Sequence, residues 1–255
     1  MIRRRSQSGS HHASFNSLSF FTEIPSDRYN RVAEPILVVN FPKDHIGKFV
    51  ALGGTFQTHQ QETERTYRWP DLWVVPDEAV INENETIRIP DRVEKIKSGA
   101  EITAVIGEGI YEADEEEAWN AIKGFTISND VTASGDWPGW SDPDHGMITG
   151  VGYKLLPTFS PVLSEYVKRD AETTYDDLDV EVRVDGETTV SGSTDQMAFS
   201  IPEMVSFASN ICKLHEDDLV ALGDPGNPTN FLDHADSVAC EIEGIGELTN
   251  PIERV

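Results

Sequence analysis

From Leu178 to Val184 the chain alternates without a break, with Leu178, Val180, Val182 and Val184 set against Asp179, Glu181 and Arg183, and Asp185-Gly186 follows. A period of two places the apolar set on one face of a strand, and Asp-Gly supplies the positive-φ residues of a primed hairpin turn. The segment is therefore read as a β-hairpin. Other stretches agree with a strand-rich fold. Pro35 to Asn40 and Lys48 to Gly53 read as buried strands, Ile102 to Gly107 as another after Glu101, and Asp236 to Ile252 alternates and turns at Gly244 and Gly246. Helices are few. Asp114 with Glu117 forms a capping box ahead of Ala118, Trp119, Ala121 and Ile122, and Gly124 is read as the stop. Ser200 with Glu203 forms a second box, with Pro202 in the first turn and a stripe of Met204, Val205, Phe207, Ala208 and Ile211. The expected class is α+β and strand-dominated, with two or three short helices.

Charge narrows the partners. Against 45 Asp and Glu stand 20 Lys and Arg, a formal net charge of −25. Nucleic-acid binding rests on counterion release by clustered bases, so a surface this acidic repels a polyanion, and anionic membranes are disfavoured for the same reason. Only 8 of the bases are lysines. Few lysines and dispersed carboxylates fit a protein from a halophile, working in concentrated salt where screening removes self-repulsion. Cys212 and Cys240, the two cysteines, read as small core residues of a reduced, cytoplasmic protein. No apolar run reaches the roughly 18 residues of a membrane span. Residues 1–33 are read as an extension, mobile in part, and 34–255 as a single domain. The Gly135 to Gly152 loop holds Asp136, Asp142, Asp144 and His145 beside Trp137 and Trp140 and reads as a solvated acidic loop that could also ligate a hard cation.

Separated strings then converge. GGTFQTHQQE (Gly53 to Glu62), EITAVIG (Glu101 to Gly107), KGFTISNDVTAS (Lys123 to Ser134), Lys154, VRVDGETTVSGSTDQMAFSIPEMVSFAS (Val182 to Ser209) and the closing DSVACEIEGIGELTNPI follow one another in order. Together they resemble the fumarylacetoacetate hydrolase family from about Ala51 to the C-terminus. The resemblance implies a mixed β-sandwich roll of the C-terminal domain type, a homodimer, and a carboxylate-bound Mg²⁺, Mn²⁺ or Ca²⁺ that chelates a 2-oxo or diketo acid substrate.

Residue by residue, the resemblance implies Glu101 and Asp130 as metal ligands. It implies His59, Glu62 and Lys154 as catalytic groups, and Phe56, Gly223 and Asp224 as substrate contacts. The chemistry agrees with these types. A hard cation takes oxygen ligands, a His-x-x-Glu spacing puts both side chains on one side of a helical turn, and a lysine offers a point charge to a carboxylate or developing oxyanion. The departures are as specific. The first glutamate of the family's Glu-x-Glu is Gly99, Asn and Tyr of its GxNY are Thr55 and Phe56, the Arg of SARD is Ser134, and the TGTP turn reads Leu222, Gly223, Asp224, Pro225. Asp224, or an acid of the Asp136 to His145 loop, is a candidate for the missing carboxylate. Three readings follow: hydrolysis of a C–C bond in an acylpyruvate-like acid, lyase or isomerase chemistry on a 2-oxo acid, or a divergent protein that binds without catalysis.

Overall fold

The protein is described by a computed structural model over residues 37–62, 66–93, 95–134, 154–170, 175–226 and 232–255, with Glu62 and Ser134 described through their backbone. The extension 1–33 and the Gly135 to Gly152 loop lie outside the described residues.

Chain order begins with β1 (Val38–Asn40), β2 (Phe49–Gly53), helix α1 (Gln57–Glu62), β3 (Asp71–Val75), β4 (Val80–Asn82), β5 (Ile87–Ile89), β6 (Lys95–Lys97) and β7 (Ala100–Ile106). Helix α2 (Glu115–Ala121), β8 (Ile122–Asn129), β9 (Thr132–Ser134), β10 (Ser160–Val162) and β11 (Glu165–Lys168) follow. The last part holds β12 (Asp179–Val184), β13 (Glu187–Ser193), helix α3 (Ile201–Ile211), β14 (Leu219–Ala221), β15 (Ser237–Ile242) and β16 (Gly246–Arg254).

All seven residues of β7 are buried, so the strand is covered on both faces and its unbroken apolar run needs no alternation. β7 is central in a nine-stranded sheet ordered β1-β11-β8-β7-β14-β2-β3, with β10 paired to β8 off this path and β4 paired to β10. One face of that sheet, through Ile102, Ala104, Ile106, Phe125 and Ile127, shares a core with Val180, Val182, Val238, Cys240, Ile242 and Leu248. Those residues belong to the second sheet, ordered β13-β12-β15-β16-β5. On the opposite face Ala51, Trp73, Val105 and Ala221 form a separate cluster. Two sheets packed face to face give the expected mixed sandwich.

The hairpin folds as the alternation predicts, with Asp185 at φ 49° and Gly186 at φ 83° between β12 and β13. Both capping boxes form, at Asp114/Glu117 and Ser200/Glu203. The helix stop at Gly124 is corrected. Helix α2 ends at Ala121 because Ile122 is extended, and Gly124 lies inside β8, where a Cβ would overlap the Tyr166 ring and the Val167 carbonyl. Cys240 is fully buried as expected, whereas Cys212 caps α3 and is half-buried. Among the described residues no helix is long and apolar enough to cross a membrane.

Candidate active site

Strand periodicity places Glu101 on the same face of β7 as Thr103 and Val105, away from the second sheet. The β7–β8 register then pairs Ala100 with Asn129, so the next residue, Asp130, emerges beside the start of β7, and its N–H donates to the Gly99 carbonyl at 2.9 Å. Ser98 Oγ donates to Asn129 Oδ1 at 2.7 Å and ties the same two strand ends together. From the far side, β14 runs antiparallel to β7 and delivers the turn Leu222 to Pro225 over Glu101. Gly223 takes φ 87° there, and its N–H donates to Glu101 Oε2 at 3.1 Å. One oxygen from each of Glu101, Asp130 and Asp224 falls within 4.8 Å of the others.

Lys154 closes the group. Its Nζ donates to Asp130 Oδ2 and to Thr132 Oγ1, the latter at 2.8 Å, and lies 5.1 Å from the centre of the Trp73 ring. The electrostatics follow from crowding in a buried place. Glu101 is only 2% exposed, and burial, then Asp130 and Asp224, push its carboxyl well above the usual range against the pull of Lys154 and the Gly223 N–H. Asp224 is raised by burial and by Asp130, opposed by Lys154 and His59. For Lys154 burial favours the neutral form, but Asp130, Glu101 and Asp224 outweigh it and hold the ammonium above its ordinary value. Three carboxylates against one ammonium leave two uncompensated negative charges on hard oxygen donors, which suits a divalent cation.

Helix α1 holds His59 and Glu62, and it is fastened to the same turn. Thr55 Oγ1 donates to the Leu222 carbonyl at 2.7 Å and Thr58 Oγ1 to the Pro225 carbonyl. His59 is half-buried and close enough for its charge to act on Asp224. The side chain of Glu62 lies outside what is described. Phe56 is 1% exposed and its backbone bridges Met197, so it is a core residue. Gly223 is buried and spends its N–H on Glu101. Asp224, expected among substrate contacts or as a replacement ligand, stands with Glu101 and Asp130. The contributions of Trp73, Thr132 and the Ser98–Asn129 pair were not read from sequence. Thr132 follows Asp130 by two residues and could have been found, but nothing local marks Trp73, which reaches the site through the pairing of β3 with β2.

Residues 48–253 match the family model of the fumarylacetoacetate hydrolase C-terminal domain. An uncharacterised protein of Methanocaldococcus jannaschii is 30% identical over 213 residues, covering 81% of this chain and 83% of its own. The oxaloacetate tautomerase fahd2 of Xenopus laevis is 28% identical over 68% of this chain and 55% of its own length. A homoprotocatechuate catabolism bifunctional isomerase/decarboxylase of Escherichia coli is 27% identical over 83% of this chain and 47% of its own. This chain thus spans about half the length of those two named relatives. Among solved structures, 5-carboxymethyl-2-hydroxymuconate delta-isomerase from Mycobacterium smegmatis superposes with a TM-score of 0.70 at 21% identity, covering 93% of this chain and 94% of that one. With the motif segments, the mixed sheets and four-fifths of the sequence in agreement, the chain belongs to the fumarylacetoacetate hydrolase family.

Proposed function

We propose that this protein is a divalent-metal-dependent enzyme that moves a proton between carbon and oxygen of a 2-oxo acid, as an isomerase or tautomerase. The observation that carries the reading is the group of Glu101, Asp130 and Asp224 held together by Lys154, with His59 on the helix fastened to the same turn. Glu101, Asp130 and Asp224 would hold a Mg²⁺ or Mn²⁺ ion, which when bound would supply Lewis-acid chemistry toward the 2-oxo group. Lys154, steadied by Thr132 and the Trp73 ring, presents positive charge toward the substrate carboxylate. His59 accepts a proton from the carbon next to the 2-oxo group and returns it at the other end of the enol. The names of the Xenopus and Escherichia relatives favour this proton-transfer chemistry.

Hydrolysis of a C–C bond in an acylpyruvate-like acid is the second reading, favoured by Glu62 standing three residues after His59, the spacing with which a carboxylate orients a water-activating imidazole. An acylpyruvate incubated with Mn²⁺ and enzyme in D₂O separates the two. Proton transfer raises the rate of deuterium uptake at C3 above that of an enzyme-free control without loss of substrate, whereas hydrolysis releases pyruvate and a free acid. In either case His59→Ala should lower turnover by about 100-fold or more while Mn²⁺ affinity stays within about threefold. Absence of both exchange and cleavage in the wild type refutes an enzymatic role on this substrate class. The homodimer implied by the resemblance is supported by exposed apolar groups near α3. Ile211 is 60% exposed and Trp69, itself 54% exposed, stacks on Phe207. Two free thiols support a reducing, cytoplasmic setting.

A further inference from the structure

Gly99 stands two residues before Glu101, and its carbonyl already accepts the Asp130 N–H. A Cβ built on Gly99 would lie 2.6 Å from Asp224 Cγ and 2.7 Å from Asp224 Oδ2. A side chain at 99 and the Asp224 carboxylate thus claim one volume, and that volume is the third corner of the acidic group. We propose that Asp224 occupies a ligand corner that two backbone positions can serve, 99 from the start of β7 and 224 from the turn after β14, and that residue 99 is glycine because Asp224 fills the corner. This inference rests on the metal reading above.

Charge and space both make the two positions exclusive. With Lys154 present, a carboxylate at each would leave three uncompensated negative charges, and neither would leave one; a divalent cation is matched by a carboxylate at one of them. Sterically, the close neighbours of the added Cβ are the Cγ, Oδ2 and Cβ of Asp224, which sit next to its backbone and have no flexible length with which to retreat. The turn is built to hold a ligand steady. Gly226 N–H donates to Asp224 Oδ1 at 2.7 Å, and Thr55 and Thr58 bind the carbonyls of Leu222 and Pro225 on either side. A carboxylate on this loop is thereby oriented by its neighbours as one on a strand would be by the sheet.

The test is calorimetric titration of MnCl₂ into five full-length proteins in molar KCl: wild type, Asp130→Ala, Asp224→Gly, the swap Gly99→Asp/Asp224→Gly, and the same swap carrying the longer Gly99→Glu. Asp224→Gly should weaken Mn²⁺ binding by about 100-fold or more, and at least one swap should return it to within about tenfold of wild type. A second readout needs no metal. Gly99→Ala should lower the melting temperature in the wild-type background and leave it unchanged in the Asp224→Gly background, where the volume is free. The inference is overturned if neither swap, folded by circular dichroism, binds better than Asp224→Gly, or if Gly99→Ala costs the same in both backgrounds. Wild-type protein that takes up no Mn²⁺, or that matches Asp130→Ala, sinks the metal reading itself and the inference with it; failure of the swaps beside an intact wild type sinks the inference alone.

Discussion

Glu101→Gln measures what the carboxylate group costs the fold when no cation is bound. Ligand oxygens of Glu101, Asp130 and Asp224 lie within 4.8 Å of one another, so each ionised pair repels by about 332/(20 × 4.8), or about 3.5 kcal/mol, at an effective dielectric of about 20. Glu101 meets two such neighbours and recovers roughly one such amount from Lys154, which leaves a net penalty of about 3–4 kcal/mol before burial is counted. Protonation caps the penalty. Against its ordinary value of 4.5, carrying the proton at pH 7 costs about 1.36 × (7 − 4.5), or about 3.4 kcal/mol. Burial first, then Asp130 and Asp224, raise this carboxyl in the folded chain, so folding takes up a proton. The stability it contributes is whole below pH 4.5 and is lost as pH climbs toward the raised folded value. Glutamine cannot ionise, and its carbonyl can still accept the Gly223 N–H. In urea unfolding followed by tryptophan fluorescence, with EDTA and molar KCl, Glu101→Gln should therefore exceed wild type by up to about 3 kcal/mol at pH 7, with the gap closing toward pH 4.5. Mn²⁺ at about 1,000 times its Kd should reverse the order, since it adds about 4.1 kcal/mol to the wild type alone. A wild type more stable than the variant at pH 7 in EDTA, or a gap indifferent to pH, would refute the reasoning.

Lys154→Met removes the ammonium that competes for Asp130, so Mn²⁺ binding should hold or tighten while the strengthening of that binding by oxalate falls by about tenfold or more; calorimetry with and without oxalate reads both. Gly124→Ala should destabilise by about 3 kcal/mol, because its methyl would overlap the Tyr166 ring and the Val167 carbonyl, and a melting temperature equal to wild type would contradict the packing at β8. A net charge of −25 should make the melting temperature rise from dilute buffer to molar KCl, and equal values would remove the case for a salt-adapted surface.

Local chemistry was legible wherever the determinant lies within a few residues. Alternation plus Asp185-Gly186 gave the hairpin, and two capping boxes gave the starts of α2 and α3, since each depends on bonds spanning at most a few positions. What joins distant segments was not. Nothing in Leu219–Ala221 announces that it fits between β2 and β7, and Trp73 reaches Lys154 only because of that ordering. Glu101 and Asp130 could be named from their strings, whereas for the third carboxylate the sequence left Asp224 and the acids of the Asp136 to His145 loop as open candidates beside a glycine at 99.

Gly99 and Gly124 show why residue type alone could not resolve this. Both lack a side chain because something else needs the room, and neither has the positive φ that marks the turn glycines at 186, 223 and 244. At 124 the intruders are a tyrosine ring and a neighbouring carbonyl of the same sheet, so the glycine serves packing. At 99 the intruder is a carboxylate delivered from 125 residues away (224 − 99), and the glycine serves the site. The stop signal read at 124 took a missing side chain as a local event, whereas at 124 and at 99 alike a tertiary neighbour occupies the space a Cβ would fill.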